Sequence, residues 1–275
     1  GKPPGETSDQ GSGKINQAPR HPPAPHQNSG QHEKRNRQKR KRRHAVDHPV
    51  RHDHFRLNRA AVGNLARAAA EADALLVHVS TDYVFDGCAS LPYTEEDPTA
   101  PRSAYGRTKL AGEEAVRASG CRHLILRTAW LYSEYGNNFL KTMLRLTAER
   151  ETLNVVFDQV GTPTYAGDLA LAIFSILEGG LDRGHEGTYH FSDEGVCSWY
   201  DFAVEIARAA GHDRCRISPC RTADYPTKAV RPAFSVLDKG KLKRTFGIEI
   251  PHWRESMFYC LKRLQAMQNQ PSEQS

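Results

Sequence analysis

The sequence predicts an α/β protein built on a parallel sheet. Two observations carry this. Segments with helical spacing alternate with short apolar runs suited to strands buried on both faces. One such run closes on Ser80-Thr81, and Tyr105-Gly106-Arg107-Thr108-Lys109 follows one crossover later. Open α/β sheets place ligand-binding residues at such strand ends.

The elements follow in order. Leu57, Val62, Leu65, Ala66 and Ala69 recur with helical spacing, which predicts an amphipathic helix over 57–72. Leu75 to Val79 reads as a strand buried on both faces. Residues 86–102 form a loop, with Gly87, Pro92, Pro98 and Pro101. A second helix runs from Ser103, its cap, to Ala118, with Gly120 as the stop. His123 to Arg127 reads as the next strand. Further helices are expected at 137–150, 166–177, 199–210 and 253–267, with strands at 153–157 and 187–191. No internal repeat is visible. Three parts result: a basic low-complexity segment over 1–54, an α/β body over 55–267, and a polar tail over 268–275 that frays.

The charge is unevenly placed. Residues 1–54 hold 12 Lys/Arg against 5 Asp/Glu, and the remaining residues hold 26 against 27. The whole basic excess therefore lies in the first fifth of the chain. That segment has almost no large apolar residues and is expected to be disordered, because it cannot bury enough surface to offset chain entropy. Its run Lys39-Arg40-Lys41-Arg42-Arg43 could meet nucleic acid. A solvated run is the favoured reading, so nucleic acid is not an expected partner. Gly11-Ser12-Gly13-Lys14 lacks the spacing and the following hydroxyl of a phosphate loop.

Six cysteines are scattered over 88–260 with no Cys-x-x-Cys pair. Reduced thiols in the cytoplasm are expected. His212, Cys215 and Cys220 fit no common zinc spacing, so no metal is expected. No run of about 18 apolar residues occurs, so no membrane span is expected.

The candidate chemistry lies in Thr81, Tyr105 and Lys109. Residues four apart share a helix face, so Tyr105 and Lys109 point together. A free phenol titrates near about 10, and a neighbouring ammonium lowers that value. The pair could then act as a general acid toward a carbonyl oxygen, with Thr81 holding the same oxygen. The plainer alternative is an exposed helix pair with Thr81 in a turn. Only one of the ten tyrosines has a lysine four residues on, and it stands at a helix following a hydroxyl-bearing strand end.

Residues from about 56 to 264 resemble the dTDP-4-dehydrorhamnose reductases, a branch of the extended short-chain dehydrogenases. The resemblance rests on Ser80 to Gly87, Tyr93-Thr94-Glu95-Glu96-Asp97, and Tyr105 to Glu113. It continues through Leu126 to Tyr132, Asp158 to Thr164, Gly187 to Phe191, Ser198-Trp199-Tyr200, Arg231-Pro232 and Ser235 to Asp238. It implies a Rossmann-like doubly wound parallel sheet with a smaller α/β substrate-binding part. It implies Thr81, Tyr105 and Lys109 as the catalytic trio, with Tyr105 and Lys109 also holding NADPH or NADH. Thr81, Asp82 and Trp130 would meet the dTDP-sugar substrate, the four site residues converging in one cleft. The implied reaction reduces the 4-keto group of dTDP-4-dehydro-rhamnose, and a homodimer is left open. Without the resemblance, Trp130 would read as a core aromatic.

The chain departs from the family in one respect. The family opens with a strand and a Gly-x-x-Gly-x-x-Gly turn that receives the pyrophosphate at a helix N-terminus. Residues 1–55 contain no such turn, and the resemblance begins abruptly near Phe55-Arg56-Leu57-Asn58. Sequence from another reading frame, or a mis-set start, is the expected cause. Loss of the first strands of the cofactor half, and poor turnover, are the expected consequences. Two alternatives stand beside the reductase. A sugar-nucleotide epimerase or dehydratase is one, although a dehydratase needs an acid where Tyr83 follows Asp82. A non-catalytic protein resembling the regulatory β subunit of methionine adenosyltransferase is the other. It shares an Asp-Tyr-Val-Phe-Asp-Gly segment and Tyr-x-x-x-Lys.

Overall fold

In the computed structural model the described residues are 1, 55–225 and 230–269. All but the first belong to one compact unit, His48–Ser275. The expectations for 2–54, including the basic run and the glycine-lysine segment, and for 270–275 lie outside the described residues.

The helices are α1 (Val62–Glu71), α2 (Ala104–Ala118), α3 (Phe139–Glu149), α4 (Ala166–Glu178), α5 (Trp199–Ala209), α6 (Gly240–Phe246) and α7 (Trp253–Asn269). The longer strands are β1 (Leu76–Thr81), β2 (His123–Thr128), β4 (Thr152–Val156), β7 (Gly187–His190) and β9 (Arg216–Cys220). Two-residue strands β3 (Leu131–Tyr132), β5 (Val160–Gly161), β6 (Thr164–Tyr165) and β8 (Cys197–Ser198) lie between them.

The central sheet is parallel, in the order β1-β2-β7. Its pleat explains why helices cover both faces. Successive side chains of β2 point opposite ways. Leu124 and Leu126 pack with Leu169 and Ile176 of α4 and Phe246 of α6. Ile125, between them, packs with Ala66 of α1 and Val116 of α2. This two-sided burial is the doubly wound arrangement, and α2 is the crossover that joins β1 to β2. Register pairs Thr81 with Thr128, so both strands end level at one sheet edge.

A second core supports the smaller part. Tyr132, Leu140, Val155, Phe202, Ile206, Trp253 and Met257 cluster among α3, α5 and α7 and the paired strands β4 and β9. No described helix is long and apolar enough to cross a membrane.

Three expectations need correction. The helix over 57–72 opens as a π-helical stretch, Arg56–Ala61, before α1 begins. Its two leucines do not face the core, Leu57 and Leu65 being 66% and 61% exposed, whereas Val62 and Ala69 do. Small residues make the contact instead, with Gly63 against Ala115 and Ala66 against Val116, because α1 and α2 approach closely. β1 is not buried throughout, since Val79 is exposed while His78 and Ser80 are buried. Among the described residues no strand pairs with the outer edge of β1. Strand β9 and helix α6 were not expected. Pro219 interrupts the strand pattern of β9, and α6 is short, opens on glycine and carries little apolar periodicity. The tail begins later than 268, because α7 runs to Asn269.

Candidate active site

The site is assembled where β1 ends. Thr81 caps a 3-10 turn, Asp82–Val84, and its Oγ1 accepts the Tyr83 N–H at 3.3 Å. The same hydroxyl donates to Asp82 Oδ1 at 2.8 Å. Ser103 caps α2, its Oγ accepting the Gly106 N–H at 2.9 Å. Gly106 then lets the first turn of α2 lie on the 3-10 turn, since a Cβ there would collide with the Tyr83 carbonyl oxygen. The approach brings the Tyr105 ring edge-on to Tyr83, with centroids 5.6 Å apart.

The electrostatics differ from the sequence expectation. Burial raises the Tyr105 phenol above its ordinary value, and the Asp82 charge adds to this. A lowering by Lys109 is not found. The reason is geometric: Lys109 Nζ donates to the Val79 carbonyl oxygen at 2.7 Å, on β1, instead of facing the phenol. Burial lowers the Lys109 ammonium, and the Glu113 carboxylate opposes that. Asp82 is 4% exposed, and burial pushes its carboxyl up to about 7 against the hydrogen bond from Thr81. Its Oδ2 has no partner.

Trp130 reaches the site from β2. It stands two residues beyond Thr128 with φ of 49°, a left-handed conformation uncommon for a bulky residue. Its indole stacks on Trp199, with ring centroids 3.5 Å apart and planes 8° from parallel. On the other side Gly161 permits the contact: a Cβ there would strike both the Trp130 indole and Ser235 Oγ. Thr81 and Asp82 are hydrogen-bonded to each other, Tyr105 packs beside them against Tyr83, and Trp130 stands with Trp199 and Gly161, partly buried against two cores. A cavity of about 120 Å³ adjoins the site, lined by Tyr83, Phe85, Arg102 and Arg231 among others. Ser235 and Trp199 had no assigned role in the sequence reading. Both lie in segments that carry the family resemblance, but the stacking of Trp199 on Trp130 exists only in the folded chain.

A dinucleotide fits this site in part. Tyr105 and Lys109 lie at the end of β1, where a nicotinamide ribose could be held, and the Lys109 ammonium needs only to exchange a backbone carbonyl for ribose hydroxyls. No described residues form a glycine-rich turn for the pyrophosphate.

A parallel α/β sheet with a Thr, Tyr and Lys at one strand edge defines an oxidoreductase of the short-chain dehydrogenase class. The family model described as "RmlD substrate binding domain" matches residues 44–266. The dTDP-4-dehydrorhamnose reductase of Sinorhizobium fredii is 46% identical over 208 residues, spanning 74% of this chain and 70% of that protein. The crystal structure of a dTDP-4-dehydrorhamnose reductase from Clostridium acetobutylicum superposes with a TM-score of 0.73 at 45% identity, covering 77% of this chain and 73% of that one. The Bacillus anthracis dTDP-4-dehydrorhamnose reductase, solved in complex with NADP, gives a TM-score of 0.71 at 38% identity, covering 75% and 72%. The chain belongs to the dTDP-4-dehydrorhamnose reductase family.

Proposed function

We propose that this chain reduces the 4-keto group of dTDP-4-dehydro-L-rhamnose to give dTDP-L-rhamnose. The observation that carries the reading is that α2 sets Tyr105 edge-on to Tyr83, in the turn at the end of β1 where Thr81 Oγ1 donates to Asp82. NADPH or NADH, when bound, supplies the hydride. The residues of the chain do the rest. Thr81 Oγ1 holds the keto oxygen, and Tyr105 gives that oxygen its proton. The Tyr105 phenol is raised rather than lowered from its ordinary value, so it stands protonated at neutral pH as an acid and not as a phenolate. Lys109 would hold the ribose. Asp82 and Trp130 would hold the sugar, the first by hydrogen bonds and the second by its flat face. The free thiols support a reducing compartment, the cytoplasm. Sedimentation would decide between monomer and homodimer.

The test is consumption of NADPH at millimolar cofactor on adding the keto sugar nucleotide, with dTDP-rhamnose identified as product. Substrate-dependent consumption that disappears in Tyr105→Phe supports the reading. Tight binding of the sugar nucleotide with no oxidation at any cofactor concentration would overturn it in favour of a non-catalytic binding protein.

A further inference from the structure

Trp130, with φ of 49°, holds a backbone conformation that a bulky residue keeps only when its surroundings over-determine it. Three contacts do so. Its carbonyl oxygen accepts the Thr164 N–H at 3.2 Å. Gly161 lies against the rim of the indole, where a Cβ would stand 2.6 Å from Cε2 and 2.8 Å from Nε1. Trp199 covers one face of the ring, with centroids 3.5 Å apart and planes 8° from parallel.

Trp199 is itself fixed from two directions. It is the first residue of α5, whose start is held by a capping box between Ser198 and Asp201. Phe139, the first residue of α3, packs on its ring with centroids 4.5 Å apart. Strands β5 and β8 pair antiparallel, Gly161 opposite Cys197 and Val160 opposite Ser198. The glycine at the rim of Trp130 and the ring on its face are therefore set by one short ribbon. Trp130 itself comes from the end of the central sheet, two residues beyond Thr128, the register partner of Thr81. Trp130, Phe139 and Trp199 are all partly buried, not closed into the core. With Trp199 on one face, Trp130 can meet a sugar only by its other face or its rim.

We propose that Trp199 is a positioning residue for sugar binding: its stack fixes the plane of the Trp130 indole, and through it the preference of the site for a nucleotide that carries a sugar. This rests on the reading of Trp130 as the surface that meets the sugar. A residue that only fills a core would lower stability when altered. It would leave unchanged how the site tells a sugar nucleotide from the bare nucleotide.

The experiment titrates dTDP-rhamnose and dTDP into the full chain, Trp199→Leu and Trp199→Phe by calorimetry. Leu keeps apolar volume without a ring, and Phe keeps a smaller ring that still stacks. Trp199→Leu should bind dTDP-rhamnose about five-fold more weakly, the scale of one aromatic contact, and dTDP within about two-fold of the wild type. Trp199→Phe should lose less. The same proteins are labelled with 5-fluorotryptophan, whose three signals belong to Trp130, Trp199 and Trp253. Trp130→Phe assigns the signal of interest. It should be single and narrow in the wild type and split or broadened in Trp199→Leu. A wild type that prefers dTDP-rhamnose, with the preference kept in folded Trp199→Leu, overturns the proposal and leaves the reading of Trp130 standing. A lost preference with the Trp130 signal still narrow also overturns it, because Trp199 would then meet the sugar itself. If Trp199→Leu does not fold, an unchanged preference in Trp199→Phe overturns it. A wild type that binds dTDP-rhamnose no better than dTDP overturns the reading of Trp130, and the proposal with it.

Discussion

Tyr105 carries the clearest prediction at the scale of single residues. Tyr105→Phe removes the proton donor and nothing else, since the ring keeps its edge-on contact with Tyr83. Turnover should fall by about 10²-fold or more, the usual contribution of a positioned acid. Affinity for the dTDP-sugar, measured by calorimetry, should stay within about two-fold. An equal loss in both would mean that Tyr105 binds sugar rather than moves a proton. The local sign of the charges also matters. Asp82 sits near its midpoint at neutral pH, while the Tyr105 phenol is held up by burial. The acid of this site is therefore a neutral phenol, not one lowered by an adjacent ammonium.

At the scale of elements, α2 is held at its start by one cap and one glycine. Ser103→Ala removes the side-chain acceptor of the Gly106 N–H. That should cost about 1 kcal/mol, or about 2–4 °C in Tm for a body of this size. Gly106→Ala acts differently. The added Cβ meets the Tyr83 carbonyl, so α2 must lift from the 3-10 turn and carry Tyr105 away from Thr81. Turnover should fall at least about ten-fold, because small misplacements of a reacting group are costly. If Gly106→Ala lowers Tm no more than Ser103→Ala and keeps full turnover, the close approach does not set the position of Tyr105.

The whole molecule responds to pH through groups that burial has displaced in opposite directions. His78 and His190 are depressed to about 4 and about 3. Their contribution to stability is present above the unfolded value of about 6.5 and is lost as pH falls below it. Asp193 is fully buried and raised by burial to about 8, and Asp82 to about 7. Between the unfolded carboxyl value and these, the folded chain holds protons that the unfolded chain has released, so their contribution is lost as pH rises. Between about pH 6.5 and 8 only the carboxyls change, and Tm should decline. Asp193→Asn keeps an acceptor for the Tyr165 N–H and removes the titration, so its decline should be shallower. A parallel decline would show that Asp193 is already ionised in the fold. Cofactor affinity is the second property of the whole. The 275 residues contain no Gly-x-x-Gly-x-x-Gly turn. Each charge-assisted hydrogen bond absent from the pyrophosphate removes about 1.5–3 kcal/mol. Titration of NADPH into this chain should give binding weaker by orders of magnitude than in a version carrying such a turn. Micromolar binding by the 275-residue chain would overturn this.

The sequence by itself determined the α/β class, the order of the main helices and strands, and the proximity of Tyr105 to Lys109 on one helix face. These depend on local periodicity and caps: Ser103, Gly120 and the apolar run into Thr81 are read within a few residues of the feature they specify. The resemblance added Asp82 and Trp130, which no periodicity marks. Other features became visible only in the folded chain. Small residues, not Leu57 and Leu65, turned out to face α2, because close helix packing outweighed the apolar pattern. Lys109 donates to the Val79 carbonyl, because that edge of β1 has no strand paired with it among the described residues. The stacking of Trp130 on Trp199 and the pairing of Glu113 with Arg127 join residues far apart in the chain. Pairings of that kind, and the desolvation that shifts their charges, are fixed by which surfaces meet, and that is decided by tertiary packing.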